Sequence, residues 1–246
     1  NALKNEKNAL LAVALTEVGQ TKLAEEALRH QAKIGDAAQH ANLAQLAGSL
    51  NLASTQYWLG HYGPSRDQSN AMARYPMPNW EPTGGWRVTP SLVYAHALQE
   101  STFRTDVVSP AGARGLMQVR PGTAQDIARA RGNSFVASEL DRPSVNLEYG
   151  QSYLEKLRDM PSTGGLLPKV IAAYNAGPTP LARWNMESRD NGDPLLFVES
   201  IPYWETRGYV SIMLRNYWIY EMRENKASGS LKGLAQYLWP NFPDSN

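Results

Sequence analysis

Glu100 is the residue of this sequence whose type and surroundings are best suited to chemistry. It stands in the stretch HALQESTFRTDVVSPAGARGLMQV, which begins at His96. Helical spacing places Glu100 on the same face as Val93, His96 and Ala97, so its carboxyl group should follow an apolar stripe. Apolar burial and the negative end of a helix dipole both disfavour the ionised form. We predict a raised pKa, which suits proton donation at neutral pH. The alternative is a glutamate at an exposed helix end.

Other polar residues follow at positions that are typical of a ligand cleft. The segment SPAGARG, residues 109–115, is a loop of small residues that lets backbone approach a ligand closely. Gln118 comes after apolar residues, and its amide can donate to and accept from an N-acetyl group. Tyr174 and Asn175 end an apolar helix, and Glu205 begins the last long helix, where acids also complement the helix dipole. Taken singly, none of these residues identifies a function.

Helices must position these residues, because few segments have the pattern of a strand. Thr89 and Pro90 predict the start of a helix that runs to about Ser101. Thr123 and Asp126 have the spacing of a capping box. Apolar periodicity predicts further helices over residues 10–18, 22–34, 37–50, 54–59, 146–157, 168–175 and 203–224. Only short stretches, such as 115–119, are typical of strand. The sequence therefore predicts a mainly α protein.

Composition shifts predict two domains. The helix–Gly–helix units of the first 62 residues resemble the αα-hairpins of a solenoid, and a plain helical lobe is the alternative. Residues 63–86 are rich in proline and glycine, which predicts irregular connecting chain. We place the division within this segment, so that residues 1–75 form an α-helical region and residues 76–246 form a second domain.

Charge and composition narrow the classes of function. The 246 residues carry a net charge of +1, which argues against nucleic acid as a partner. The absence of cysteine excludes disulfides, a thiol nucleophile and a Cys-based zinc site. The histidines are scattered, and we expect no metal and no cofactor. Tryptophans such as Trp184 and Trp204 are more typical of core packing than of sugar stacking.

Five motifs in this order resemble the soluble lytic transglycosylases of bacterial cell-wall metabolism. They are QES (99–101), SPAGARGLMQ (109–118), PGTA (121–124), AYNAG (173–177) and ESIPYWETRGYV (199–210). The resemblance covers about residues 87–224. It implies a lysozyme-like (goose-type or SLT) catalytic domain that acts on peptidoglycan, preceded by the end of an α-solenoid as in Slt-type members.

The resemblance also implies roles for single residues. Glu100 matches the single acid/base of the family. Residues that line the glycan cleft are matched by Ser109, Met117, Gln118, Tyr174 and Asn175, and a second carboxylate that binds substrate is matched by Glu205. Arg120 stands where such enzymes often have a methionine near the sugar, which leaves the chemistry of that subsite open.

The expected reaction is cleavage of the β1,4 bond between N-acetylmuramic acid and N-acetylglucosamine, with formation of a 1,6-anhydro sugar. A goose-type hydrolase would share the fold and the acid, and a glycan-binding protein without activity is a further alternative. Asp106, Glu199 and Glu205 are candidates for the second carboxylate that hydrolases use. Spacing alone does not exclude Asp106.

Location and partners follow from the same resemblance. It implies a bacterial periplasmic protein whose partners are peptidoglycan glycan strands, together with proteins of cell-wall synthesis or secretion. The first residues, NALKNEKNALLAVALTEVGQ, open in the middle of a helical pattern and lack the features of a signal peptide. We expect the chain to be part of a longer solenoid protein.

Overall fold

The protein divides into two compact units in a computed structural model that describes residues 3–62 and 71–243. One unit comprises Asn1–Trp80 with Thr102–Arg104, and the other comprises Glu81–Ser101 with Thr105–Asn246. Within the described ranges, the regular elements are helices, and extended chain pairs only in isolated bridges. The prediction of a mainly α protein is confirmed. None of the helices in these ranges has the length and apolarity needed to cross a membrane.

The first unit contains four α-helices within its described residues. These are α1 Lys7–Glu17, α2 Thr21–Ile34, α3 His40–Ser49 and α4 Ala53–Tyr62. Helix α1 packs against α2, and α3 packs against α4. Small side chains allow this close approach, since the buried core contains Ala9, Ala12, Ala24, Ala27, Ala32, Ala44 and Ala47 beside several leucines. The four helices predicted for this region are confirmed, whereas residues 63–70 of the predicted connecting chain lie outside the described residues.

The described part of the second unit, up to residue 243, contains eight further α-helices. They are α5 Pro90–Ser101, α6 Pro121–Ala130, α7 Pro143–Arg158, α8 Leu167–Ala176, α9 Pro178–Glu187, α10 Pro194–Ser200, α11 Trp204–Arg223 and α12 Gly229–Leu234. Most of them begin with proline in the first turn, where its fixed φ suits a helix and its missing N–H is not needed.

Proline also explains where the sequence-based prediction failed. The capping box at Thr123 is wrong, because α6 begins at Pro121 and Arg120 is its N-cap residue, without a side-chain cap. The two helices α9 and α10 were not predicted, although Pro178 and Pro194 stand at their first positions, where proline is favoured.

Helix α5 forms the centre of the second unit. All of its residues from Ser91 to Leu98 are buried, and it packs against α11 and α7. The sequence predicts that only one apolar stripe of this helix is buried, but in the structure other parts of the protein cover the helix on every side. This is typical of a helix whose small and apolar residues occur on every side.

Polar contacts from α7 hold the chain that leads into α5. The Gln151 side-chain oxygen accepts hydrogen bonds from the backbone nitrogens of Arg87 and Val88 at 3.0 and 3.3 Å. The Arg87 guanidinium forms ion pairs with Glu148 and Glu155 at 2.9 and 3.1 Å. The start of α5 is therefore fixed by several directional bonds as well as by packing.

The loop between the Glu100 helix and α6 folds back on itself. Arg114 pairs with both Val108 and Val119 in isolated antiparallel bridges, so the strand predicted over residues 115–119 is reduced to single contacts. Gly115 has φ +72°, and a Cβ there would clash with the Asn146 side-chain nitrogen and the Leu140 carbonyl oxygen. Asn146 holds the loop, because its amide bonds the backbone of Arg114, Met117 and Leu140 at 2.8–2.9 Å.

Gly115→Ala should destabilise the second unit more than Gly112→Ala does. Both glycines have positive φ, but a Cβ at Gly112 would meet no atom within 4 Å. We expect Gly112→Ala to cost about 1 kcal/mol for strain alone. Gly115→Ala should cost at least about 3 kcal/mol, because strain is joined by a clash with buried polar groups. Urea unfolding measures both, and equal losses would show that Asn146 does not confine the loop.

Candidate active site

Glu100 lies at the C-terminal end of α5 and opens into a cavity of about 510 Å³. The remaining lining comes from the folded-back loop, the start of α6, the middle of α7, the junction of α8 with α9, and the start of α11. The lining residues are Glu100, Ser109, Ala111, Ala113, Gln118, Val119, Arg120, Thr123, Tyr153, Tyr174, Asn175, Ala176, Gly177, Pro178 and Glu205. Six of the residues predicted from the sequence therefore share one cleft with Glu100.

The folded-back loop presents Ser109 and Gln118 to the cleft. The Ser109 hydroxyl accepts a hydrogen bond from the Ala113 backbone nitrogen at 3.0 Å, which closes the tip of the loop. Gln118 has φ +48°, and its side-chain nitrogen donates to the carbonyls of Val107 and Gly115 at 3.2 and 2.9 Å. Because both amide protons are engaged, only Oε1 of Gln118 remains to bind a ligand, and it can only accept.

Met117 supports the cleft from behind. Its side chain is fully buried and packs on Gly150, where a Cβ would lie within 3.1 Å of three Met117 atoms. Met117 is absent from the cavity lining, although the sequence placed it among the substrate-binding residues. Its carbonyl accepts a hydrogen bond of 2.7 Å from the Tyr174 hydroxyl. Met117 therefore anchors the tyrosine ring that lines the cleft.

The opposite wall is formed where α8 meets α11. Gly177, with φ +89°, ends α8 within three residues of Tyr174, so the side chains of Tyr174 and Asn175 lie in the last turn of the helix. The Asn175 side-chain oxygen accepts a hydrogen bond from the Thr206 hydroxyl at 2.7 Å. This bond orients the amide so that its nitrogen is left to donate to a ligand. Glu205, in the first turn of α11, is exposed at this wall.

Arg120 brings a positive charge to the cleft. It is the N-cap residue of α6 and is exposed, so its guanidinium is open to solvent and to a ligand. A guanidinium offers several donors and no acceptor, in contrast to the apolar methionine that the resemblance leads one to expect. This position of the cleft is therefore suited to an oxygen-rich or anionic group.

The Glu100 carboxyl favours its protonated form. Burial raises the pKa of Glu100 to about 7, a hydrogen bond from Tyr209 acts in the opposite direction, and the charge of Glu205 adds to the rise. The predicted direction of the pKa shift is confirmed, and burial is the largest cause. A carboxyl group with a pKa near neutrality can both donate and recover a proton.

Tyr209 is a residue that sequence reasoning missed. Its hydroxyl donates to Oε1 of Glu100 at 2.5 Å, and it lies 3.0 Å from Nδ1 of His96. Helical spacing could have indicated it, because Tyr209 follows Glu205 by four residues on α11 and therefore lies on the same face of that helix. Neither Tyr209 nor His96 lines the cavity, because both lie behind the carboxyl group.

Two of the three candidate second carboxylates lie away from the cleft. Asp106 and Glu199 are exposed and do not belong to the cavity lining, whereas Glu205 does. Among the described residues, Glu100 and Glu205 are thus the carboxylates that line the cavity.

Trp204, next to Glu205, is 82% exposed, so the expectation of core packing is wrong for this residue, while Trp184 is buried.

Known proteins share both the sequence and the fold of this region. Residues 79–197 match the family described as the transglycosylase SLT domain. The soluble lytic murein transglycosylase of Escherichia coli K12 is 40% identical over 135 residues, which cover 54% of this chain and 20% of that protein.

Two solved structures resemble the chain. The 70 kDa soluble lytic transglycosylase of Escherichia coli matches with a TM-score of 0.79 and 26% identity, over 99% of this chain and 39% of that one. An inactive mutant of the lytic transglycosylase Slt from Pseudomonas aeruginosa, with glutamine in place of a glutamate, matches with a TM-score of 0.66 and 26% identity, over 92% and 37%. The chain thus spans less than half of each of these proteins.

The helical fold around the cleft of Glu100, which matches that of the 70 kDa soluble lytic transglycosylase, is of the lysozyme-like class. Within that class, residues 79–197 are similar to the transglycosylase SLT domain, in line with the motifs in the sequence.

The Glu100 carboxyl should titrate near pH 7, and two substitutions should move its pKa in opposite directions. Tyr209→Phe removes a hydrogen bond that stabilises the carboxylate, so the pKa should rise. Glu205→Gln removes a neighbouring negative charge, so the pKa should fall. Carbon-13 NMR of the glutamate carboxyl carbons measures these values, with the Glu100 signal identified by its loss in Glu100→Gln. Titration at the ordinary value of 4.5 in the unsubstituted protein would contradict this assignment.

Proposed function

We propose that this protein is a peptidoglycan lytic transglycosylase in which Glu100 is the single acid/base. The observation that carries the proposal is a carboxyl group with a pKa of about 7 that opens into a polar cleft. The names of the similar proteins, which are lytic murein transglycosylases, support the substrate and the type of reaction.

Bond cleavage begins with proton donation. Protonated Glu100 gives its proton to the oxygen between C1 of N-acetylmuramic acid and C4 of N-acetylglucosamine. The C1–O bond then breaks, its electron pair stays on the oxygen, and the N-acetylglucosamine end leaves as an alcohol. The positive charge that develops at C1 is stabilised by the carbonyl oxygen of the muramyl N-acetyl group. A general acid contributes a factor of about 10²–10⁴ to the rate of such a step.

Ring closure returns the proton to Glu100. The ionised carboxylate removes the proton of the C6 hydroxyl of the same muramyl residue, and O6 bonds to C1. The product is a 1,6-anhydro sugar, no water is consumed, and Glu100 ends in its starting state. Holding O6 close to C1 gives an effective concentration of up to about 10⁵–10⁸ M, well above that of bulk water.

The cleft residues are suited to hold the sugars in this geometry. Gln118 Oε1 can accept from the N–H of an N-acetyl group, and the Asn175 amide nitrogen can donate to its carbonyl. The Tyr174 ring, fixed by Met117, offers an apolar wall. Further along the glycan, Ser109 and Glu205 can bind hydroxyl groups. Arg120 can bind hydroxyl or carboxylate groups.

The reaction needs only one carboxylate at the bond that breaks. A retaining hydrolase uses a second carboxyl group about 5–5.5 Å from the acid, and an inverting one about 6.5–9.5 Å from it. Glu205 is the candidate in the cleft, and its exposure at the wall favours a role in binding. A hydrolase of the goose-lysozyme type, with Glu205 or a bound water in the second step, is the alternative.

The setting in the cell is part of the same proposal. Murein as substrate implies the bacterial cell envelope, and for a soluble enzyme the periplasm, with glycan strands as the main partner. Proteins of cell-wall synthesis or secretion are further proposed partners. We also propose that residues 1–75 form the end of an α-solenoid and residues 76–246 the catalytic domain. The likeness to the 70 kDa enzyme over 99% of this chain supports this division of roles.

Glu100→Gln should lower the release of soluble muropeptides from purified sacculi by about 10³-fold or more, because the amide cannot donate the proton. The matched control is Glu199→Gln, which changes an exposed carboxylate outside the cleft and should leave the rate unchanged. Mass spectrometry of the products separates the two chemistries. The transglycosylase product is lighter than the hydrolytic product by one water.

Either of two results would overturn the proposal in a distinct way. Products that contain the added water would identify a hydrolase with the same acid. Full activity of Glu100→Gln would remove Glu100 from the mechanism altogether.

A further inference from the structure

His96 is a fully buried histidine that lies directly behind the proposed acid. It stands on α5 one helical turn before Glu100. Its ring contacts the Tyr174 ring of α8 at a centroid distance of 4.4 Å, and its Nδ1 atom lies 3.0 Å from the Tyr209 hydroxyl of α11. The sequence indicated only a helix neighbour of Glu100, but the structure connects the two residues through Tyr209.

The direction of the hydrogen bonds follows from counting protons. The Tyr209 hydroxyl has a single proton, which it donates to Oε1 of Glu100. Its oxygen must therefore accept from His96, so the proton of the neutral imidazole is on Nδ1. The other ring nitrogen, Nε2, is then an acceptor, and it is buried without a hydrogen-bond partner among the described residues.

The reverse direction is less favourable. If Tyr209 donated to Nδ1, the neutral imidazole would carry its proton on Nε2, where a buried N–H would lack an acceptor. Buried donors without partners are rarer in proteins than acceptors without partners. Protonation of both nitrogens is also disfavoured, because burial lowers the pKa of His96 to about 3.

From this geometry we propose that His96 is a positioning residue of the acid. Its Nδ1–H group holds Tyr209 as a donor to Oε1 and thereby keeps the acidic proton on Oε2. The described residues make no hydrogen bond to Oε2, so a proton there can be passed to a substrate. The expected change in activity rests on the proposed function, whereas the hydrogen bonds of His96 and their effect on the pKa of Glu100 do not.

The other ionisable groups around the ring do not compete with this role. Tyr174 and Tyr209 contact the imidazole, and burial raises the pKa of both hydroxyls well above the usual value. Tyr153 contacts the Tyr174 ring, and burial raises the pKa of its hydroxyl as well. Glu205 acts on Glu100 through its charge. Among the groups of this cluster whose pKa is shifted, Glu100 is the one with a pKa between about 5 and 9.

The tautomer can be observed in the unsubstituted protein. Nitrogen-15 NMR of histidine-labelled protein distinguishes a protonated from an unprotonated ring nitrogen, and the His96 signals are identified by their loss in His96→Leu. We expect Nδ1 to be protonated and Nε2 unprotonated from pH 5 to 9. A proton on Nε2, or on both nitrogens, would overturn the proposal.

Substitutions then test the effect on the acid. His96→Leu should lower kcat on sacculi by about tenfold with KM unchanged, because proton donation is affected and binding is not. It should also raise the pKa of Glu100, and with it the alkaline limb of the pH profile, by about half a unit, because Tyr209 becomes a weaker donor to the carboxylate.

Two comparisons separate positioning from packing. His96→Asn can place an amide N–H where Nδ1–H was, so it should return the alkaline limb toward that of the parent. Ser91→Ala removes another fully buried polar group from α5 and should leave the limb in place. Equal pH profiles for parent, His96→Leu and His96→Asn would overturn the proposal.

The NMR pKa of Glu100 keeps this inference distinct from the proposed function. If the parent fails to digest sacculi but His96→Leu still shifts the Glu100 pKa, the function is wrong and the positioning role stands. If the parent digests sacculi and the substitution leaves the Glu100 pKa unchanged, the function stands and the positioning role is wrong.

Discussion

Burial of the Glu100 carboxyl group is the constraint on which the rest of the site depends. It raises the pKa to about 7, so a proton is available to a ligand at neutral pH. The folded protein therefore binds this proton more tightly than the unfolded chain does. The resulting stabilisation is complete below the unfolded pKa of about 4.5 and is lost as the pH rises through 7. The protein thus gives up stability at neutral pH to keep a reactive acid.

The surroundings of Glu100 are arranged so that burial does not isolate it. One carboxyl oxygen accepts from Tyr209, which belongs to a chain of buried polar groups that ends at His96. The other oxygen, Oε2, accepts no hydrogen bond from the described residues. Because Glu100 lines the cleft, this oxygen is available to a ligand. Asn146 and Gly115 maintain the loop on the far side, so the cleft walls are supported by buried polar contacts rather than by the acid itself.

The sequence predicted the helix of Glu100, the direction of its pKa shift and most of the cleft, because these depend on local spacing and on recognisable motifs. It did not reveal Tyr209, whose role depends on how α11 packs against α5. Nor did it reveal that the Gln118 amide nitrogen is engaged by backbone carbonyls, since this follows from a positive φ that is unusual for glutamine. Met117 looked like a cleft residue in the motif but faces the core, because adjacent residues in a tight turn point in different directions.

A neutron structure of the unliganded protein at about pD 6 tests the central claim most directly, because it locates hydrogen isotopes instead of inferring them. The account predicts deuterium on Oε2 of Glu100, with the Tyr209 hydroxyl directed at Oε1. A Glu100 carboxylate without deuterium at that pD would contradict the account, since a group already ionised there cannot serve as the acid at neutral pH.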